Sequence, residues 1–405
     1  MGEEIDIAEP RDLLGEGLAY QTRDPLHRLN VPSGRMSAIE DLPDDFAKWS
    51  DVEPYAFMQR QSYSSYLRER LGSAVNHIQE NIVDLAPTQV GAVATFSSGQ
   101  SKSYDSVILA MGHGEARLPE FLDQIPDSPR IIKDVWNGQA LPHSRNLICF
   151  GTGLTFIDMA MTHLARDPHN KVIAISGSGN LPERHVASAI TPFTPRLEDV
   201  STLEKLRGYL STAGESWREA IDGLRPITEA MWRGFTMQER EEFLRTDGSS
   251  WSRRRHRIAP EIADRVESEI ASGRMIIYKG NVERVLATLD LVEIELSDGT
   301  LLTGDYLAIC IGRDYQLTDP LSLSLINNGK TNRGPLGMGL SIDVDTGQLQ
   351  APGGTVYRGI FAIGPLRSGE AFESTAIPEI RKQAYAITKR IATMNRTLEE
   401  KSLAD

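Results

Sequence analysis

Cysteine is almost absent: the 405 residues contain two, Cys149 and Cys310. Each lies in an apolar stretch where a small hydrophobe would serve, so buried structural thiols are expected rather than a disulfide. No C-x-x-C or C-x-x-x-x-C pair occurs, which removes the dithiol relay of a flavin-linked disulfide reductase. Long apolar runs are missing as well. Nowhere do 18 apolar residues follow one another, and Met1 to Pro10 has neither a basic n-region nor an apolar h-region, so a cytoplasmic chain that does not enter membranes is expected. Positive charge is in deficit. Against 56 acidic side chains stand 43 basic ones, a net charge of −13, and the summed field repels nucleic acid and anionic lipid. Neither H-E-x-x-H nor Cys/His metal spacing nor the G-x-S-x-G frame is found, so no metal site is expected and acyl transfer has no support. Gly329-Lys330-Thr331 ends like a P-loop, but Ser324 stands where that loop needs its first glycine.

What is present is an ordinary globular composition, 40% hydrophobic and 24% charged, in a chain long enough for two or three domains. Short β-rich apolar runs alternate with helical patterns, the signature of α/β domains with parallel sheets. Asn146 to Gly153 reads as a buried strand entering Gly151-Thr152-Gly153, Leu154 to Leu164 continues as a helix, and Lys171 to Ser176 is the next strand. In that context a G-x-G turn lets the backbone approach a pyrophosphate, whose charge rests on the helix N-terminus. Phe156 occupies the motif's sixth position, where a small residue is usual. At the end of the following strand stands Ser176 instead of the carboxylate that selects NAD, with Arg184 and His185 close behind. A ribose 2′-phosphate is better tolerated there, which favours NADP, with NAD as the alternative.

An internal repeat runs through the chain: Ser97, Gly99, Asp105 and Gly112 recur as Ser297, Gly299, Asp305 and Gly312, a constant shift of 200 positions. Each copy predicts a strand, a Gly-containing turn, a second strand, an Asp and a third strand that stops at glycine. Between Leu197 and Ser272 the pattern is amphipathic and helical, an insertion that carries the densest basic run, Arg253 to Arg257. That run has two readings, an anion site built from arginine forks or a solvated or salt-bridged helix end. The stretch from Gly15 to Ile39 is too irregular for a regular element and too apolar for a linker, and a bound ring system would supply its packing. Gly359 to Ala386 shows a strand ending in glycine and feeding a helix N-terminus, a second cradle for an anion or cofactor.

Taken together, GLAYQTRDPLHRLNVPSGRMSA, GTGLTFIDMA, WSRRRHRIAPE and AIGPLRSGEAFESTAIPEIRKQA resemble the successive signature blocks of a family of FAD/NAD(P)-binding proteins. That family is related to flavin-dependent N-hydroxylating monooxygenases, and the resemblance runs from about Ile5 to Ile391. It implies two Rossmann-like dinucleotide-binding domains: a discontinuous FAD domain, residues 1–140 and 296–405, and an NAD(P) domain, residues 141–295, with the helical insertion at about 197–272. By position, Glu9 would hold the adenosine ribose, and the stretch with Asn30, Pro32, Arg35 and Met36 would pass the isoalloxazine. Gly112 and Gly312 would end crossover strands, Gly364-Pro365 would approach the flavin, and Gly151 and Gly153 would cradle the nicotinamide cofactor. The function implied is NAD(P)H reduction of FAD, with electrons passing to oxygen or an organic acceptor and an amine-bearing small molecule as substrate.

One departure from the pattern is large. FAD domains of this kind open with a strand and a G-x-G-x-x-G turn before the acidic second strand, whereas this chain opens at that second strand, EIDIAEP. The expectation is therefore a truncated or mis-started chain, with a partner polypeptide supplying the missing unit as the alternative beside a homo-oligomer. A non-catalytic dinucleotide-binding or scaffold protein is the rival function.

Overall fold

The computed structural model describes residues 4–72, 75–114, 118–122, 127–136, 141–186, 190–312 and 317–402, with side chains as far as residue 396. The chain opens with β1 (Asp6–Ala8), which pairs in parallel with β2 (Asn76–Ile78). Between them α1 (Gly17–Tyr20), α2 (Asp45–Ser50) and α3 (Arg60–Leu71) are folded together with the irregular segment. Leu29, Val31 and Met36 from that segment are buried against Phe46, Tyr63 and Tyr66. Aromatic side chains of α2 and α3 therefore pack against the segment from Leu29 to Met36.

Next comes an antiparallel meander of β3 (Ile82–Pro87), β4 (Ala92–Phe96) and β5 (Ser101–Tyr104), from which β6 (Val107–Leu109) departs. After β7 (Ile131–Ile132) the second unit begins with β8 (Asn146–Phe150), α4 (Leu154–Arg166) and β9 (Lys171–Ser176). Six helices follow: α5 (Leu203–Thr212), α6 (Trp217–Leu224), α7 (Thr228–Gly234), α8 (Met237–Thr246), α9 (Gly248–Arg255) and α10 (Pro260–Ala271). Then come β10 (Met275–Lys279), a second meander of β11 (Val282–Ala287), β12 (Val292–Leu296) and β13 (Leu301–Gly304), and β14 (Tyr306–Ile309). The chain closes with α11 (Pro320–Asn327), β15 (Gln348–Gln350), β16 (Val356–Ala362) and α12 (Ile377–Ser402).

The second unit is a parallel sheet in the order β10-β9-β8-β14-β7. Its strands read as unbroken apolar runs because both faces are covered. On one face Leu147, Cys149, Val172 and Ala174 pack against Phe156, Ala160 and Leu164 of α4. On the other, Ile148 and Ile175 pack against Ile294 and Leu296 of the second meander. Cys149 and Cys310 are both free and buried, as expected; burial and its Cys310 neighbour push the Cys149 thiol pKa up. Strand β14 enters between β8 and β7, so this sheet draws on residues beyond the boundary expected at 295/296. The boundary expected at 140/141 adjoins residues 137–140, which lie outside those described.

The two meanders are copies. Ile82↔Phe96, Asp84↔Thr95 and Leu85↔Ala94 in one match Val282↔Leu296, Arg284↔Glu295 and Val285↔Ile294 in the other, with the register irregularity at the same step. Gly99 and Gly299 turn the β4–β5 and β12–β13 hairpins with the same φ of 84°. The first copy delivers β6 to a three-stranded sheet, order β15-β16-β6, and the second delivers β14 to the five-stranded one. Among the described residues no strand joins β1–β2 to β6–β16–β15, and no helix is long and apolar enough to cross a membrane.

The first meander meets β16 at a backbone crossing. A Cβ on Gly359 would lie 2.4 Å from the Asp105 carbonyl oxygen and 2.7 Å from Gly91 Cα, and one on Gly91 would lie 1.9 Å from the Tyr104 carbonyl oxygen. Neither neighbour is a side chain that can swing away. Gly359→Ala is expected to cost about 1–3 kcal/mol through forced backbone movement, measured as a lowered urea midpoint; an unchanged midpoint would show that the crossing has slack.

Candidate functional site

In the five-stranded sheet the chain runs from β8 outward to β9 and β10, then returns to the other side of β8 as β14. The strand order therefore reverses between β8 and β14, and the crevice beyond their C-terminal ends is where open α/β sheets receive ligands. Gly151 follows β8 there at φ 109°, and a Cβ on it would meet the Cys310 carbonyl oxygen at 2.6 Å. Only glycine lets the two strand ends approach so closely. Gly153 caps α4 without any side-chain bond to the helix, and the space where its Cβ would stand is open. Free N–H groups at the start of α4 thus face a gap that suits a phosphate. Thr152 turns inward, donating to the Asn180 carbonyl at 2.7 Å and lying 3.0 Å from Ser176 Oγ. Gly312 follows β14 at the same end of the sheet.

Ser176 ends β9 beside Lys279, its register partner at the end of β10. Gly179, at φ 66°, brings the following turn against the Lys279 side chain, where a Cβ would stand 2.7 Å from Lys279 Cβ. Lys279 is exposed. This cation was missed in the sequence because 102 residues separate it from Ser176, and only sheet pairing makes them neighbours. The Arg184 guanidinium is paired with Asp264 of α10 at 2.6 Å.

A second set of strand ends follows β1, β6 and β16. Glu9 follows β1 and is held by Arg11, with Arg11 Nη2 2.6 Å from Glu9 Oε2. That bond, against partial burial, lowers the Glu9 carboxyl pKa. Gly112, φ 72°, follows β6, and Gly364, φ 66°, follows β16, its parallel neighbour. The Gly364 N–H donates to Gln383 of α12 at 2.8 Å, its carbonyl accepts from Ser374 at 2.9 Å, and Pro365 begins the next turn. Asn30, Pro32 and Arg35 are partly exposed, whereas Met36 is enclosed in the aromatic core of α2 and α3.

The loop carrying these residues is locked to the five-stranded unit. His27 Nε2 lies 3.1 Å from the Asp158 carbonyl and 2.8 Å from Thr162 Oγ1, both in α4. Arg60 of α3 pairs with Asp158 at 2.9 Å, and both side chains are largely buried. Burial raises the Asp158 carboxyl pKa, and Arg60 opposes it. Next along the loop, the Asn30 carbonyl is 3.0 Å from His185 Nε2, and the His185 ring lies 4.9 Å from that of Phe57. Asn30 is thus fixed between the two units.

Arg253, Arg255 and Arg257 of the basic run are ion-paired, and the last two are buried. Arg257 forks onto Asp222 of α6 at 2.9 and 3.2 Å, and Arg255 reaches Glu379 at 3.2 Å and Glu373 at 3.5 Å. Arg225 meets Glu379 at 3.0 Å, and Arg35 stands 3.9 Å from Asp222. Burial, with Arg255 nearby, lowers the Arg225 pKa to about 10. Of the two sequence readings, the ion-paired one holds for Arg255 and Arg257, with the partners supplied by the Gly364 segment and α6.

A five-stranded parallel sheet with a switch-point crevice, together with separate parallel strand ends at β1 and at β6–β16, defines the class: a two-unit dinucleotide-binding fold. Residues 2–114 match the model of a family described as FAD-NAD(P)-binding. Comparison with curated proteins finds no match. Among solved structures, the chain is similar to the ornithine N-hydroxylase KtzI of Kutzneria sp. 744, at 12% identity and a TM-score of 0.64, over 97% of this chain and 92% of that one. It is similar to the ornithine hydroxylase PvdA of Pseudomonas aeruginosa, at 14% identity and TM-score 0.59, over 96% and 91%. It also resembles DfoA, the FAD-bound cadaverine monooxygenase of Erwinia amylovora, at 10% identity and TM-score 0.59, over 96% and 88%. The fold is thus that of flavin-dependent N-hydroxylating monooxygenases, and the resemblance read in the sequence holds.

His185 gives the loop contact a pH dependence. Burial, first among its causes, lowers its pKa from 6.5 to about 4. The unfolded chain therefore takes up this proton first, and the stabilisation is complete above pH 6.5 and lost as pH falls towards about 4. Urea unfolding from pH 7 to 4 is expected to show a shallower decline in His185→Gln than in the parent; identical declines would assign the effect to other groups.

Proposed function

We propose that the chain is a flavin-dependent oxidoreductase in which NAD(P)H reduces FAD, and that it hydroxylates the nitrogen of an amine-bearing small molecule. The observation that carries this reading is the fold similarity to KtzI, which spans 97% of the chain and so includes both crevices. KtzI was solved with reduced FAD, NADP+ and L-ornithine.

The residues at the β8–β14 crevice fit a nicotinamide dinucleotide. Gly151, Thr152 and Gly153 would hold its pyrophosphate at the α4 N-terminus, and Ser176 with Lys279 would receive a ribose 2′-phosphate. Gly312 would end the crossover strand at the nicotinamide side and Gly112 its counterpart, Glu9, Gly364 and Pro365 would flank the flavin, and Asn30, Pro32 and Arg35 would lie between the two cofactors; the buried Met36 side chain would support that stretch from behind. A glycine-rich turn for the flavin pyrophosphate is not found beside β1 among the described residues. When bound, FAD supplies hydride acceptance from the nicotinamide and reactivity towards oxygen. The chain's own part is to orient the two ring systems and keep water out between them, for which no acid or base need stand out.

The purified chain, supplied with FAD, is expected to turn yellow, to bleach with NADPH in the absence of oxygen, and to form a hydroxylamine when air and a diamine or ornithine are added. Bound flavin that NADPH fails to bleach would overturn the reductase, and NADPH oxidation that no amine stimulates would overturn the hydroxylase. Uptake of NADP(H) without flavin would leave the non-catalytic binding protein. In an active preparation, Lys279→Ala is expected to raise KM for NADPH about tenfold by removing a charged phosphate contact, with KM for NADH unchanged; equal effects on both would remove Lys279 from the 2′-phosphate.

A further inference from the structure

The helical insertion holds a cleft of about 370 Å³ between α5, α6, α8 and α9. Its floor is apolar and rigid, made by Leu206, Ile221, Phe243 and Trp251, each at most 4% exposed. Trp217 and Arg254 stand at one side of the mouth. None of these groups belongs to either crevice described above.

Around the Trp217 ring the charge is unbalanced. The guanidinium carbons of Arg218, Arg257 and Arg254 lie 4.3, 5.1 and 5.8 Å from its centroid. Asp222 pairs with Arg257. Arg218, among the described residues, donates only to the Arg184 backbone carbonyl. Among the described residues the Arg254 side chain has neither an ion pair nor a hydrogen bond. Three cations thus share one aromatic ring and one carboxylate, and cation–π attraction offsets only part of their mutual repulsion. The end of the cleft at the start of α9 differs, because Asp247 lines it there and Arg207 is shared between Asp247 and Glu242, each at 2.7 Å.

We propose that this cleft binds a small aromatic carboxylate, its ring against Phe243, Trp251 and Trp217 and its carboxylate on Arg254. Asp247 fixes the polarity, because it lines the cleft at the opposite end of α9 from Arg254 and an anion placed there would meet its carboxylate. The floor is continuous with the Gly364 segment: Trp251 donates to Glu373 at 2.7 Å, and Phe372 lies 5.4 Å from Phe243. An occupant would therefore brace the packing behind the flavin-side crevice without entering it.

The test uses the full chain and 3-phenylpropanoate as probe, with 3-phenylpropan-1-ol and 3-phenylpropylamine as comparators, read by calorimetry and tryptophan fluorescence. The carboxylate is expected to bind at least tenfold tighter than the alcohol, and the amine weakest. Arg254→Ala should bring the carboxylate down to the alcohol's affinity and leave the alcohol unchanged, whereas Ser250→Phe, which fills the cleft, should weaken both. Equal affinities for the three compounds, a preference for the amine, or an unaltered preference in Arg254→Ala would overturn the proposal. So would displacement of the probe by 2′,5′-ADP, which would give the arginines to the nicotinamide cofactor. Absence of binding, with an oligomer that dissociates in Ser250→Phe, would give the cleft to a second copy of the chain. Because no arm needs flavin or turnover, failure here is distinct from failure of the proposed activity.

Discussion

Glu373 holds a left-handed backbone conformation, φ 64°, with its carboxylate among aromatic and cationic side chains. For a residue other than glycine this conformation costs about 1–3 kcal/mol and persists only where the surroundings over-determine it. Here they do. Burial alone would raise the Glu373 pKa, but His256, Arg255, the Trp251 N–H and Arg225 together lower it. The next residue, Ser374, donates to the Gly364 carbonyl, and Gly364 ends the strand beside Gly112. The geometry of one crevice thus depends on a carboxylate clamped by helices from the insertion between β9 and β10. Trp232 and Arg240 add to the clamp through the Gly369 carbonyl, and Phe372 stacks on Trp232 at 4.6 Å. Removing one member of such a set strands a buried charge, so the insertion is a structural partner of the crevice rather than an appendage.

The parts that were legible in the sequence are those written in local pattern. Gly151-Thr152-Gly153 between an apolar run and a helical one is a strand-end turn wherever it occurs, and the structure places it at a switch point. The shift of 200 positions was legible because a tight hairpin turn demands glycine at the same offset each time, and Gly99 and Gly299 adopt the same φ. The remainder depended on contacts between distant residues. Arg253 to Arg257 reads identically whether it faces water or Glu373 and Glu379, which lie more than 100 positions further along. Met36 reads as a residue beside a ligand, and only the fold shows that Phe46 and Tyr63 enclose its side chain. The destination of β14 was hidden for the same reason. Its apolar run LAIC suits either sheet, and the choice was made by pairing with Leu147 to Phe150.

The two units are joined by polar contacts as well as by apolar area. Arg60 and Asp158 are both buried and neutralise each other across the boundary, while His27 and His185 each present a ring nitrogen to the other unit's backbone. Directional bonds of this kind fix an angle between bodies, which apolar packing alone does not. The loop from His27 to Arg35 is where that angle is held.

Net charge and local charge oppose each other in this protein. At −13 the whole molecule repels a dinucleotide at long range, and the repulsion is screened beyond about 8 Å at physiological ionic strength. Within that distance the cations that matter are few and placed at ends of elements: Lys279 at the end of β10, Arg35 beside Asp222, and Arg254 at the end of α9. Arg255 and Arg257 are internal counter-ions, so they add little to the field that an approaching ligand meets. An anion is therefore attracted at contact and not at a distance, and among the described residues Lys279 and Arg254 take no part in the fold's own ion pairs, whereas Arg35 does.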